Sequence, residues 1–157
     1  MYLTTHSAGI IPYKFENGKI KFFLGHPGGT MNKNNDFWAL LKGTMENGEN
    51  SLDTAIREFQ EESGITLNAE ELKERLWLVG TIKQRKDKFV TAYAVEVNDI
   101  DPEKCHSNMV DGEDFPEVDN YAWMGVDLVR CCTLKSNLWF YEEILRKLGI
   151  DEDYQGC

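Results

Sequence analysis

The chain has 157 residues, 41% of them hydrophobic and 28% charged, a length and balance that suit one globular domain with an ordinary core. Seventeen Lys and Arg against 27 Asp and Glu leave a formal charge of −10. That excess argues against a long nucleic acid as the main partner, because phosphate-backbone binding draws on clustered cations. A small phosphorylated substrate remains admissible where a divalent cation supplies the local positive charge.

The opening MYLTTHSAGIIPY lacks the basic segment of a signal peptide, and no run approaches the roughly 18 apolar residues that span a bilayer. The expectation is a cytoplasmic protein with no membrane partner. Residues 7–13 and 20–24 suit strands, and Asn17-Gly18 between them is the pair favoured in a type I′ hairpin turn. His26-Pro27-Gly28-Gly29 and the polar run through Asn35 read as an exposed loop, and residues 37–41 as a short buried strand. A Gly-rich loop over 43–50 leads into a helix over 51–63, with Asn50 or Ser51 as its cap and Gly64 as its stop. Residues 77–83 and 89–97 predict a second hairpin, turning near Lys86-Asp87-Lys88. A long polar loop over 98–115 follows, then a strand over 118–124. Leu138, Tyr141, Ile144, Leu145 and Leu148 recur at helical spacing near the end. The fold class is therefore α+β, one domain over 1–157 with a mixed or antiparallel sheet flanked by helices. Cys105, Cys131, Cys132 and Cys157 have no C-x-x-C spacing and read as reduced, packing thiols.

On a helical wheel, Leu52, Ala55, Ile56 and Phe59 gather on one side and must face the core. Glu58, Glu61 and Glu62 gather roughly 120° away by the same arithmetic. Like charges within one turn repel unless a cation lies between them. Hard oxygen donors at that spacing suit Mg²⁺ or Mn²⁺, which keep waters and bind substrate phosphates. On spacing alone, a solvated acidic face is the commoner outcome.

The whole segment 43–65, GTMENGENSLDTAIREFQEESGI, decides between the two. It resembles the signature of the Nudix hydrolases: Gly, five residues, Glu, seven residues, Arg-Glu, an apolar residue, one residue, Glu-Glu, one residue, Gly, aliphatic. Gly43, Glu49, Arg57, Glu58, Phe59, Glu61, Glu62, Gly64 and Ile65 fill those places. With average residue usage, a chance match in such a chain is on the order of one in ten million or rarer. SAGIIPY, HPGG, FWALLKG and FPEVDNYAW resemble a bacterial-type branch of the family, with Leu41 where related branches often carry proline.

The resemblance implies the Nudix fold, a mixed β-sheet sandwiched between α-helices (an α/β/α sandwich), and attack of water on a phosphorus of a small nucleotide derivative. The substrates it leaves open are nucleoside triphosphates, dinucleoside polyphosphates and ADP-ribose-like sugars. It implies that Glu58, Glu61 and Glu62 hold Mg²⁺ or Mn²⁺, with a backbone carbonyl of Lys42 or Gly43 as a further ligand. Glu58 is alternatively the general base. Arg57 anchors the cluster and Glu49 orients it. Many members recruit an acid from outside the box; Glu113, Asp114 and Glu117 are candidates, with Glu117 preferred. Lys42, His26, Trp38 and Arg85 are candidate substrate contacts, beside Lys83, Phe37, Tyr93 and Phe115. A homodimer is admissible. Two rivals are a catalytically silent nucleotide sensor, which usually loses box carboxylates that are all present here, and an RNA-decapping enzyme, which the −10 charge disfavours.

Overall fold

The computed structural model of the protein describes residues 4–66 and 68–152. Asn17 and Gly18 take φ of 53° and 77°, as a type I′ turn requires. They close a hairpin of β1 (Thr5–Glu16) and β2 (Lys19–Pro27), paired from Glu16↔Lys19 to Tyr13↔Phe22. Beyond that stretch the two strands part. The first half of β1 pairs instead with β3 (Leu41–Thr44), from Ile10↔Leu41 to Ser7↔Thr44. On its other side β1 runs parallel to β5 (Lys88–Glu96), which is antiparallel to β4 (Trp77–Arg85). The other edge of β2 pairs with β6 (Val118–Gly125) from Lys21↔Gly125 to Pro27↔Val118, so the order is β4-β5-β1-β2-β6 with β3 alongside β1.

Strand periodicity sorts the apolar residues onto two faces. Ala8, Ile10, Phe23, Leu41 and Val95 point to one side, against Ala55, Ile56 and Phe59 of α1 (Ser51–Ser63) and Leu72 of α2 (Ala69–Arg75). Ile11, Tyr13, Phe22, Leu24, Val90 and Ala92 point to the other. There they meet Val129 of α3 (Val126–Cys132) and Phe140, Tyr141, Ile144 and Leu145 of α4 (Lys135–Lys147). This is the expected α/β/α sandwich. No described helix is long and apolar enough to cross a membrane.

Several expectations are corrected. Residues 37–41 form no continuous strand, because the chain there changes partners. Ala39 bridges Gly25 of β2 and Trp38 bridges Thr133, while the ladder with β1 starts only at Leu41. Gly43, expected in a loop, is therefore a strand residue. The helices α2 and α3 escaped the sequence reading. Each has seven residues, too few for a clear period, and α2 buries only Leu72. At the end, Phe140 takes a core place and Leu148 lies outside α4, 36% exposed. Cys105 and Cys132 are free thiols, but Cys131 is disulfide-bonded, against the expectation of reduced cysteines throughout. Cys157 lies outside the described residues.

Both ends of α1 terminate as the sequence predicts. The Asn50 side chain accepts from the Asp53 N–H, and Gly64 has a φ of 72° with its N–H donating to the Gln60 carbonyl. A β-carbon on Gly64 would also lie 2.6 Å from the His106 ring. Gly64→Ala is therefore expected to lower stability by at least about 1 kcal/mol. A urea-denaturation midpoint equal to that of the parent protein would contradict this.

Candidate active site

Packing of Ala55, Ile56 and Phe59 onto the sheet turns the acidic side of α1 towards β3 and the loop before the helix. Arg57 organises that side. Its Nε donates to Glu49 Oε2 at 2.7 Å and its Nη2 to Glu49 Oε1 at 3.0 Å, a two-pronged pair. Nη1 reaches Glu58 at 2.8 Å and Glu61 at 3.1 Å, and Nη2 also donates to the Thr44 carbonyl at 3.1 Å. Glu49 Oε1 further accepts from the Glu46 N–H at 2.9 Å and the Thr54 hydroxyl at 3.0 Å. The bond to Arg57 above all, then that to Glu46, holds the Glu49 carboxyl down to about 2.

The Glu58 carboxylate lies directly over Gly43, where a β-carbon would come within 2.0 Å of Glu58 Cδ. Burial raises the Glu58 pKa, and Arg57 opposes the shift. Glu62 is 8% exposed and accepts from the Lys42 backbone. Burial, then repulsion by Glu58 and Glu117, pushes its carboxyl up to about 9. Glu62 and Glu117 share a cleft of about 170 Å³ with Gly25, Pro27, Leu40 and Lys42. The cleft opens where β2 parts from β1, so the sheet's own divergence makes room for it. Burial lowers the Lys42 pKa, and the Lys88 ammonium adds to the effect.

Gly43, Glu49, Arg57, Glu58 and Glu61 are thus brought together, with Lys42, Glu62 and Glu117 beside them. Glu113 and Asp114 stand exposed on the loop and do not line the cleft. His26 and Trp38 are elsewhere, lining a second cavity of about 450 Å³ with Lys33, Asn35, Asp36, Asp119 and Asn120. Arg85 is exposed where β4 ends. Tyr93 hydrogen-bonds Ser51 at 2.6 Å, and Phe115 packs against Gly29. The sequence reading passed over Lys88. Only the parallel β1/β5 pairing, which sets Lys88 opposite Thr5, carries it towards Lys42, and no local pattern announces that.

Among the described residues no three His, Cys, Asp or Glu side chains converge as a ready metal cage, since Glu58 and Glu61 turn to Arg57. The donor set nevertheless fits a hard divalent cation: it is all carboxylate oxygen, and Gly43 leaves space for the Glu58 head group. Burial raises the Glu58 and Glu62 pKa values; repulsion from Glu61 and Glu117 on the first, and from Glu58 and Glu117 on the second, adds to it, and a cation relieves that crowding.

The NUDIX domain family profile matches residues 5–148. A curated relative, the asymmetrical bis(5'-nucleosyl)-tetraphosphatase of Rattus norvegicus, is 32% identical over 124 residues, covering 75% of this chain and 72% of the relative. Among solved structures, a C. elegans Ap4A hydrolase binary complex superposes with a TM-score of 0.68 at 23% identity, covering 93% of this chain and 98% of that one. The NUDIX domain of Shewanella oneidensis NrtR, complexed with ADP ribose, gives a TM-score of 0.69 at 13% identity, covering 94% and 90%. These two likenesses concern the fold.

The second cavity yields a pH prediction. His26 Nδ1 lies 2.7 Å from Asp119 Oδ1, and Nε2 lies 2.5 Å from the Asn35 carbonyl oxygen. Both partners accept, so both ring nitrogens carry protons. Burial works against that charge, and the bonds to Asn35 and Asp119 outweigh it and raise the pKa. A raised folded-state pKa means stability fully present below the usual 6.5 and lost as pH rises through the folded value. Melting temperature measured between about pH 5.5 and about 8.5 is expected to fall more steeply for the parent protein than for Asp119→Asn. Parallel curves would refute the assignment.

Proposed function

This chain belongs to the NUDIX domain family and is a Nudix hydrolase, and on that premise we propose that it is a Mg²⁺- or Mn²⁺-dependent pyrophosphohydrolase of dinucleoside polyphosphates. One observation carries the proposal: a single guanidinium, Arg57, gathers Glu49, Glu58 and Glu61 beside the buried Glu62 and the incoming Glu117. The relative from rat supports the substrate class.

Glu58, Glu61, Glu62 and Glu117, with a backbone carbonyl of Lys42 or Gly43, would hold the cation. When bound, that ion neutralises the diphosphate and lowers the pKa of a coordinated water. Arg57 and Glu49 keep the carboxylates oriented, while Lys42, which lines the cleft, is assigned to substrate phosphates. Glu58 either ligates the cation or takes the proton of the attacking water; its raised proton affinity suits the second role. A pH–rate profile of Glu58→Gln separates the two. The same reading treats residues 1–157 as one domain, expected in the cytoplasm, and takes the segments SAGIIPY, HPGG, FWALLKG and FPEVDNYAW as the ground for a bacterial-type branch.

The test is product identification by mass after incubation with dinucleoside polyphosphates, nucleoside triphosphates and ADP-ribose, with and without metal. Metal-dependent asymmetric cleavage of a dinucleoside tetraphosphate is expected. Tight binding without turnover across the panel overturns the hydrolase mechanism in favour of a sensor. The double variant Glu58→Gln, Glu62→Gln is expected to lose activity on the order of 100-fold or more. Gly43→Ala probes the cradle, because Gly43 does not have a left-handed φ and the three atoms nearest an added β-carbon all belong to the Glu58 carboxylate. Its half-saturating Mg²⁺ concentration is expected to rise by about 10- to 100-fold, with little change in melting temperature.

A further inference from the structure

The last four carbonyls of a helix have no partner within it. In α1 those groups belong to Gln60, Glu61, Glu62 and Ser63, so the carboxylate-bearing turn is also the turn that needs outside donors. The Gly64 N–H serves Gln60. The other three are met from distant chain: Asn108 N–H donates to the Glu61 carbonyl at 2.9 Å, His106 N–H to that of Ser63 at 3.0 Å, and the Tyr121 hydroxyl to that of Glu62. The same short segment holds the acid recruited from outside the box. The Asn108 carbonyl accepts from the Glu117 N–H at 2.9 Å, and Ser107 Oγ accepts from the Val118 N–H at 3.2 Å. One residue, Asn108, is therefore bonded through its backbone to Glu61 on one side and to Glu117 on the other.

Tyr121 is the side-chain member of this clamp. It sits on β6, buried, with its ring stacked on Phe23 at 5.9 Å. Its position is thus set by the core, independently of the carboxylates. The electrostatics give the clamp a purpose. Glu61 and Glu62 lie at the negative end of the α1 dipole, where further negative charge is unfavourable, and Glu117 is added beside them. A fraying last turn would let the acids separate.

We propose that Tyr121, with the 106–108 segment, is a positioning device that keeps the Glu61–Glu62 turn beside Glu117, so that a divalent cation can gather these acids. The inference rests on the metal-dependent reading above and adds to it a residue that touches neither substrate nor reacting atoms. Tyr121→Phe removes one hydroxyl and keeps the stacked ring. Loss of a hydrogen bond that orients ligands typically costs about 10- to 100-fold in metal affinity or activity.

The experiment measures Mn²⁺ affinity by electron paramagnetic resonance, alongside kcat, KM and melting temperature, for the parent protein, Tyr121→Phe and Trp123→Phe. Trp123 is the control. It lies on the same strand, and its Nε1 donates to the Ile100 carbonyl at 2.9 Å rather than to a carbonyl of α1. The expected result is Mn²⁺ affinity and kcat lowered about tenfold in Tyr121→Phe, KM for the nucleotide little changed, and Trp123→Phe like the parent in both. Should Tyr121→Phe fail to fold, Ser107→Ala loosens the same segment from β6 and is expected to weaken Mn²⁺ in the same sense. Parent-like Mn²⁺ affinity in the clamp variants, or an equal loss in Trp123→Phe, overturns the clamp. A parent protein that neither binds Mn²⁺ nor hydrolyses any substrate overturns the metal-dependent reading itself.

Discussion

A guanidinium shared among acids is the interaction around which this molecule is arranged. Arg57 touches Glu49, Glu58 and Glu61 and lies 3.8 Å from Glu46, so one fixed, planar cation sets the directions of carboxylates from both the loop and the helix. Its geometry matters more than its charge. The fork pins Glu49 in two places, and Glu49 in turn fastens the loop through the Glu46 N–H and the helix start through Thr54. The loop between β3 and α1 is short of hydrophobic contacts, and this polar lattice replaces them. The buried Glu62 is instead met by the Lys42 backbone and the Lys42 ammonium.

The sheet supplies the place for that chemistry. A hairpin that stayed paired along its whole length would close the space beside Glu62. Here β2 leaves β1 after Tyr13, β3 takes over the vacated edge, and the Gly25↔Ala39 bridge holds the junction. The cleft forms at the fork, and Glu62 from α1 and Glu117 from the loop just before β6 enter it from two sides. The acids are thereby carried on rigid elements, while the loop that supplies Glu117 is tied down by the otherwise unmatched carbonyls of α1.

Much of this is written locally. Asn17-Gly18, the Asn50 cap, the Gly64 stop and the 3.6-residue spacing of Ala55, Ile56 and Phe59 each act over a few residues, so hairpin, helix and acidic face are legible in order along the chain. The pattern over 43–65 likewise names the acids and their organising arginine, and the family it points to is the one the chain belongs to. The short helices α2 and α3 are not legible, because seven residues hold too few turns for a period to show. Nor is the handover at Trp38 to Leu41, where an apolar run that reads as one strand is divided between three partners.

The sequence by itself determined which side chains are acidic, which face of α1 carries them and where that helix begins and ends, because these follow from bonds and angles among near neighbours. Only the tertiary structure decided that Glu117 joins them while Glu113 and Asp114 stay in solvent. It alone also set His26 and Trp38 in a different cavity, and brought Lys88 towards Lys42. Those outcomes depend on strand register and on which strand pairs with which. A one-residue change in either moves a side chain to the opposite face without altering anything local in the sequence.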